Sequence, residues 1–165
     1  MSITQAIARP ISPPITQLIT GEHYENIAVS NAGFETAGGG GADVLASWSE
    51  ATAGTSTVTQ DLVEFYTGLA SCKLSIDSSN SNAQISQAIA GLSGGDNIIL
   101  SFMAKASGGR WRCGTVSNYE DIDIASTWTK YNLNLSLTGG TLVFKRVAAG
   151  SQTLNLDNIE IKKIV

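Results

Sequence analysis

The chain has 165 residues, of which 42% are hydrophobic and 15% charged, with 17 glycines and a formal net charge of −4. Its length suits one domain with its own core, and its low, negative charge excludes the clustered Lys and Arg that bind nucleic-acid phosphates. No apolar run reaches the roughly 20 residues that cross a bilayer, and the N-terminus lacks a secretory signal, so neither nucleic acid nor membrane is an expected partner.

Residues 1–21 differ from the rest of the chain and predict an extended N-terminal arm. Pro10, Pro13 and Pro14 fix φ and disfavour a helix. The segment is also too apolar for a solvated tail. Its large apolar side chains are Ile3, Ile7, Ile11, Ile15, Leu18 and Ile19. A loose leader is one interpretation. We favour the other, an arm that buries these side chains on a partner subunit.

From residue 22 to residue 165 the sequence predicts short strands separated by turn residues. The four glycines Gly38–Gly41 are expected to form a loop, and no helix is predicted. The predicted strands are Asn26–Val29 continuing through Ala32–Glu35, Leu45–Trp48, Ser56–Leu62, Ser71–Ile76, Ala83–Ile89, Asn97–Ala104, Arg110–Val116, Trp128–Leu135, Thr141–Val147 and Leu154–Lys162. This spacing is typical of an all-β sandwich or barrel, and the predicted fold is a jelly-roll β-sandwich with an extended N-terminal arm.

Several segments, in this order, resemble the jelly-roll carbohydrate-binding modules of families 4, 9 and 22. The segments are Asn31–Glu35, Trp48, Gly68–Ile76, Ala83–Ile89, Gly94–Ala104, Thr127–Tyr131 and Leu156–Ile161. Together they extend over residues 26–165. The resemblance implies the jelly-roll fold. Sugar binding has to be judged from the site itself, because this sandwich is reused for many functions.

The resemblance also implies a structural Ca²⁺ beside the first and last strands, held by Glu35 and Asp157. Calcium takes six to eight oxygen ligands, so Asn31 and backbone carbonyls would have to complete the set. In the alternative interpretation, the two carboxylates bind loop amides without an ion.

The aromatic residues decide whether a sugar site is credible, since sugars stack on exposed rings. The resemblance implies core positions for Trp48 and Trp128. Trp111 is flanked by arginines that should face the other way, Tyr119 follows in the next loop, and Tyr66 lies in the segment Glu64–Gly68. If Trp111, Tyr119 and Tyr66 share a face, they form a glycan platform. The alternative is that Trp111 is a buried residue of the sandwich.

No enzyme is predicted. The only histidine is His23, and the sequence contains neither a Gly-x-Ser-x-Gly elbow nor a phosphate-binding loop. Glu120, Asp121 and Asp123 form the one acidic cluster. A pair of carboxylates serves glycosidases, but a solvated, exposed acidic loop is the favoured interpretation.

Cys72 and Cys113 have no metal-type spacing. They would pair only if adjacent in space, and we predict two buried free thiols.

Two functions are expected from these features. The first is a structural protein of a bacteriophage virion, either a capsid decoration protein or a tail accessory protein, because the leader resembles those of such proteins. It would be made in the host cytoplasm and attached through its arm to other virion proteins or to its own copies. A closed homo-oligomer, such as a trimer, would then be the natural assembly. Each buried isoleucine would contribute about 1.5–3 kcal/mol.

The second function is a glycan-binding adhesin or receptor-binding module that uses exposed aromatic residues. The two functions are compatible, since a virion module can present a sugar-binding face outward. A module from a secreted glycoside hydrolase is a weaker third option, because no catalytic partner accompanies it.

Overall fold

The computed structural model describes residues 23–41, 43–78, 82–147 and 150–165, and these residues form strands and turns. The strands are β1 (Tyr24–Ile27), β2 (Ala37–Gly40), β3 (Asp43–Leu45), β4 (Ser49–Ala53), β5 (Thr57–Asp61), β6 (Ser71–Ile76), β7 (Asn82–Ala88), β8 (Asn97–Ala106), β9 (Arg110–Thr115), β10 (Tyr119–Asp123), β11 (Thr129–Ser136), β12 (Thr141–Arg146) and β13 (Gln152–Ile164). In the part of the chain that the structure describes, no helix has the length and hydropathy needed to cross a bilayer.

The predicted arm, residues 1–21, lies outside the described residues, and so do its six large apolar side chains. The arm, its partner and the boundary of the domain at residue 22 stay predictions.

Two antiparallel sheets pack face to face. Sheet I has the strand order β11-β8-β13-β6-β5, with β1 also paired to β13, and sheet II has the order β10-β9-β12-β7-β4. Strands β2 and β3 form a separate hairpin. The predicted all-β sandwich is confirmed, with more strands than the sequence indicated.

Aromatic rings connect the two sheets through the core. Phe102 of sheet I meets Phe144 of sheet II edge to face, with ring centroids 5.1 Å apart, and stacks on Tyr131 at 5.5 Å. Phe144 lies 6.5 Å from Trp48, which lies 5.3 Å from Phe34. Trp48 is buried, as predicted. Offset and edge-to-face pairs of this kind stabilise a core beyond the area that they bury.

Strand β13 is hydrogen-bonded along both edges. One edge pairs with β8, while the other pairs first with β6 and then with β1. Its register against β8 shifts between Asp157 and Glu160, and Asn158 there has a positive φ of 49°. A bulge of this kind redirects the side chains next to it.

Two predictions for the first part of the domain are wrong. Ala32–Glu35 is a turn rather than a strand, because Phe34 has a φ of 57° and its N–H donates to the Asn31 carbonyl at 3.0 Å. Gly38–Gly41 is largely part of the β2–β3 hairpin rather than a loop. Gly40 supplies the φ of 89° at which the chain reverses, a conformation that glycine adopts without strain.

Two edge strands were not predicted as strands. The sequence of β4 is Ser-Glu-Ala-Thr-Ala, and most of it is exposed, so it carries no apolar alternation. The acidic segment Glu120–Asp123, predicted as a loop, belongs to β10, which pairs with β9 from Tyr119 to Asp123. Charged residues are common on edge strands because they discourage further strand pairing.

Both cysteines are buried free thiols, as predicted. Cys72 lies on β6 of sheet I and Cys113 on β9 of sheet II. Burial raises the pKa of both thiols.

We predict that Phe102→Ala lowers the free energy of unfolding by about 3–5 kcal/mol, because the phenyl ring links the two sheets and leaves a cavity when removed. Urea unfolding followed by tryptophan fluorescence measures this loss. Val63→Ala is the control, since Val63 is 85% exposed and its truncation should change stability by less than about 0.5 kcal/mol. Equal stabilities of the two variants would contradict the described core.

Candidate functional site

The structure places the three predicted platform aromatics in three different environments. Trp111 is fully buried between the sheets, and its indole N–H donates to the Gly108 carbonyl at 3.2 Å. An indole in this position cannot stack on a sugar. The alternative interpretation, a buried Trp111, is the one that the structure bears out, and the three-residue platform does not form.

Tyr66 lies in the β5–β6 loop, residues 62–70, above the outer face of sheet I. Its ring is 48% exposed, with its centroid 6.1 Å from that of Trp128. The Lys105 ammonium lies 6.0 Å from the centroid of the Trp128 ring. Trp128, expected in the core, is therefore only partly buried and covers the sheet from outside.

Tyr119 begins β10, at the edge of sheet II. Its ring is 36% exposed, and the centre of the Arg112 guanidinium lies 3.5 Å from the ring centroid. This is close stacking, in which the planar guanidinium rests on the electron-rich face of the ring.

Arg112 is fixed a second time by Asp121. Its Nε donates to Asp121 Oδ1 at 2.8 Å and its Nη2 to Oδ2 at 2.9 Å. The hydrogen bonds from Arg112 lower the pKa of the Asp121 carboxyl, and the charges of Arg110 and Lys145 lower it further. A guanidinium held by a bidentate carboxylate and an aromatic ring is pre-organised, so it loses little freedom when a ligand binds.

Cross-strand pairing explains why these side chains meet. One row of directly opposed residues crosses sheet II from β4 to β10, and it consists of Ala51, Gln84, Lys145, Arg112 and Asp121. The residues on either side of this row point inward, because side chains alternate along each strand. Sheet II therefore has an apolar inner face and a polar outer face.

The next outward row lies beside the first and contains Ser49, Ser86, Val143, Gly114 and Tyr119. Gly114 leaves room for the tyrosine, since a Cβ added there would lie 2.7 Å from the Tyr119 Cα. A shallow cavity of about 160 Å³ opens where the two rows meet. Residues that line it include Gln84, Ser86, Arg112, Thr141, Val143 and Lys145. It is smaller than the ~300–1,000 Å³ of a typical ligand pocket, so a ligand would lie across this face rather than inside it.

Only weak signals for this face are present in the sequence. Tyr119 was predicted as a site residue, but the polar residues of β7 and β12 were not. Their signal is period-two alternation, with Gln84 and Ser86 between buried Ala83, Ile85 and Gln87. Alternation within one strand predicts that such residues face outward. It does not predict that β7, β9 and β12 are neighbours, which is what brings these residues together.

The acidic cluster does not form a catalytic pair. Asp121 is bound by Arg112, and its lowered pKa keeps it ionised and unable to donate a proton at neutral pH. Glu120 points to the opposite face of β10, and Asp123, on the same face as Asp121, lies directly opposite Arg110. The cluster is thus an edge strand with one neutralised carboxylate rather than the predicted exposed loop.

Asp157 is fully buried at the β13 bulge. Its Oδ2 accepts the N–H groups of Tyr66 and Thr67 at 2.9 Å each, and its Oδ1 accepts the N–H of Asn158 at 2.7 Å. Burial raises the pKa of Asp157, these hydrogen bonds oppose the rise, and the nearby charge of Glu35 adds to it.

Glu35 binds the same loop. Its two carboxylate oxygens accept the N–H of Leu69 at 3.1 and 3.0 Å. Gly68 is required at this point, because it has a φ of 72° and an added Cβ would fall 1.8 Å from Glu35 Oε1. A Cβ on Gly33 would lie 3.6 Å from Asp157 Oδ1 and 3.8 Å from Glu35 Oε1, so both carboxylates border the same glycine.

Asn31, the third predicted calcium ligand, is occupied elsewhere. Its Nδ2 donates to the Thr36 and Ala46 carbonyls at 2.8 and 3.0 Å, and its Oδ1 accepts the Thr36 N–H at 3.0 Å. Among the described residues, no three or more His, Cys, Asp and Glu side chains group around a common point. Two carboxylates that bind loop amides match the ion-free alternative, and calcium binding stays a prediction.

The fold is similar to that of several solved structures. The family 22 xylan-binding domain of Paenibacillus barcinonensis Xyn10C is 12% identical with a TM-score of 0.54, over 81% of this chain and 92% of that one. The family 11 carbohydrate-binding module of Clostridium thermocellum, in complex with a β-1,3-1,4-mixed-linked tetrasaccharide, is 12% identical with a TM-score of 0.55, over 84% and 94%.

A third similar structure is tailspike protein 4 of bacteriophage CBA120, in its enzymatically active domain. It is 21% identical with a TM-score of 0.54. The match covers 84% of this chain and 21% of the tailspike chain. No protein-family model and no curated protein sequence matches the chain. At these identities the similarity shows the fold alone, and it supports the predicted jelly-roll sandwich.

We predict that Asn31→Ala lowers the free energy of unfolding by about 1–3 kcal/mol with and without added Ca²⁺, because three hydrogen bonds to the hairpin are lost. Thermal unfolding in calcium and in chelator measures both values. Asn134→Ala, a change at an exposed position of β11, is the control. A loss confined to the calcium-containing samples would instead make Asn31 a calcium ligand.

Proposed function

We propose that this domain binds carbohydrate, without catalysing its cleavage, through the outer face of sheet II. The observation that carries the proposal is Tyr119 stacked on Arg112 beside a shallow cavity with amide, hydroxyl and ammonium groups. The C–H face of a sugar packs on an aromatic ring, and its hydroxyls require hydrogen-bonding groups around that ring.

The polar groups are suited to this task. Gln84 both donates and accepts, Ser86 and Thr141 do the same with hydroxyls, and Lys145 donates only. They lie on strands β7 and β12, which pair with neighbours on both edges, so their positions are set by the sheet. Sites on such rigid elements hold their geometry better than sites on loops.

The similar structures support a carbohydrate ligand. One is described as xylan-binding and another is a complex with a tetrasaccharide. The absence of catalysis is proposed because both carboxylates on this face of β10 lie opposite arginines: Asp121 is bound by Arg112, and Asp123 is paired in register with Arg110.

A second candidate function is a bacteriophage virion protein, such as a capsid decoration or tail accessory protein, which displays this domain. The specific observation in its favour is the similar fold within a phage tailspike protein. In this proposal, residues 1–21 bind other virion proteins or further copies of the chain, and the sugar-binding face points outward as a receptor-binding or adhesin surface.

We predict that Tyr119→Ala weakens glycan binding at least about tenfold, since an aromatic anchor in a binding site contributes more than about 1 kcal/mol. A glycan array identifies the ligand, and calorimetry then gives the affinity of each variant. Tyr119→Phe should bind almost as well as the natural chain, because it keeps the ring.

Tyr66→Ala is the matched control, since Tyr66 is similarly exposed but lies over sheet I. The proposal is wrong if Tyr66→Ala, rather than Tyr119→Ala, removes binding, or if no glycan binds to the folded protein.

For the virion proposal, we predict that the full-length chain is a homo-oligomer and that a version without residues 2–20 is a folded monomer, because the apolar arm supplies the subunit contacts. Light scattering gives both masses, and circular dichroism checks that the shortened chain keeps its strands. Two monomers of equal stability would rule out the arm as an assembly element.

A further inference from the structure

We infer that the ligand of the sheet II outer face is an anionic glycan, one that carries carboxylate or sulfate groups. This inference rests on the proposed function and names the class of its ligand. Its basis is Lys145, which forms no ion pair among the described residues and lies directly opposite a second cation, Arg112.

Four of the five lysines on the strands of sheet I are paired with acids. Lys73 lies 3.5 Å from Asp61, Lys130 lies 3.8 Å from Glu160 and Lys163 lies 2.9 Å from Asp96. Lys105 contacts Glu64. Lys162 forms no ion pair among the described residues, but its cross-strand neighbours, Asn26 and Ile99, are uncharged.

Lys145 on sheet II differs from these lysines. Its direct cross-strand neighbours are Gln84 on one side and Arg112 on the other. Ion pairs between described residues include none with Lys145, and the nearest carboxylate in its row, Asp121, is already bound by two nitrogens of Arg112. The Lys145 ammonium therefore lines the cavity without an acid of its own.

The direct pairing of Lys145 with Arg112 is itself unfavourable. Like charges that face each other across a strand pair destabilise a sheet. An anion bound between the two side chains would remove this repulsion. The anion would bind the Lys145 ammonium and Nη1 of Arg112. Asp121 accepts hydrogen bonds from Nε and Nη2 of Arg112, and Nη1 is not used in that pair.

The wider face is positive as well. The outer face of β9, β10 and β12 has three cations, Arg110, Arg112 and Lys145, and two anions, Asp121 and Asp123, which leaves an excess of one positive charge, while the whole chain carries a net charge of −4. A local positive region on an acidic protein attracts anions and is not explained by overall composition. Tyr119 in the same region adds the stacking surface that a bare anion site would not need.

The test compares ligands that differ only in charge. Polygalacturonate is measured against its fully methyl-esterified form, and dextran sulfate against dextran, by calorimetry with the full-length chain. We expect the charged member of at least one pair to bind about tenfold more tightly, as expected for one added charge-assisted hydrogen bond. Whichever pair responds identifies the anionic group as carboxylate or sulfate.

Lys145→Gln should remove this preference, so that the charged and neutral members of the responding pair bind this variant equally. Lys130→Gln is the matched control, because it removes an equal charge from the outer face of sheet I. The preference should also disappear as salt is raised from about 0.01 M to about 1 M, since the screening length falls from about 30 Å to about 3 Å.

The inference is overturned if charged and neutral members bind equally, or if the two lysine variants behave alike. Equally tight binding of a single-stranded oligonucleotide would also overturn it, because it would indicate a general polyanion surface. These outcomes are separate from failure of the proposed function. If charged and neutral glycans bind equally and Tyr119→Ala weakens the binding of both, the anionic preference is wrong but the proposed carbohydrate binding stands.

Discussion

Strand β13 is hydrogen-bonded to β8 along one edge and, in succession, to β6 and β1 along the other. A single strand thus determines the order of sheet I, because strands from distant parts of the chain are placed by their pairing with it. The inward residues Leu154, Leu156 and Ile161 are buried in the core on the same strand. Sheet II packs on the surface so formed, and its own outer face follows from that packing.

The bulge in β13 makes the two outer faces of the sandwich different. It places Asp157 beneath the β5–β6 loop, where Asp157 binds two backbone amides and Glu35 binds a third. The loop then covers part of sheet I, and Asn155 is buried beneath it with hydrogen bonds to Asp61 and Ser71. Sheet II has no equivalent loop among the described residues across its paired rows of polar side chains. The described part of the chain therefore covers one face with its own backbone and leaves the other open.

The sequence predicts the strands whose apolar residues alternate. Strand β6 was predicted with its correct limits because Cys72, Leu74 and Ile76 alternate with polar residues. Strands β4 and β10 were missed because exposed edge strands need no apolar residues. Alternation also showed that Trp111 faces away from its flanking arginines. It could not show which side faces the core, since that depends on the opposite sheet.

The same limit applies to the candidate site. The bond from Arg112 to Asp121 joins residues on adjacent strands, but the row from Gln84 to Asp121 joins strands separated by many residues of sequence. Only the strand order reveals that row. The two predicted carboxylates at the bulge were correctly brought together by the resemblance to known modules, whereas Asn31 was not, because its amide is needed to hold the hairpin.

The separation between core and outer face has a consequence for how this protein can change. Side chains such as Gln84, Lys145 and Tyr119 contribute little to the buried aromatic cluster, so selection can exchange them without loss of the fold. New ligand preferences can then arise by a few substitutions, with few compensating changes elsewhere. A scaffold with this property can diversify rapidly in recognition while its architecture persists, and proteins 12% identical to this chain have a similar fold.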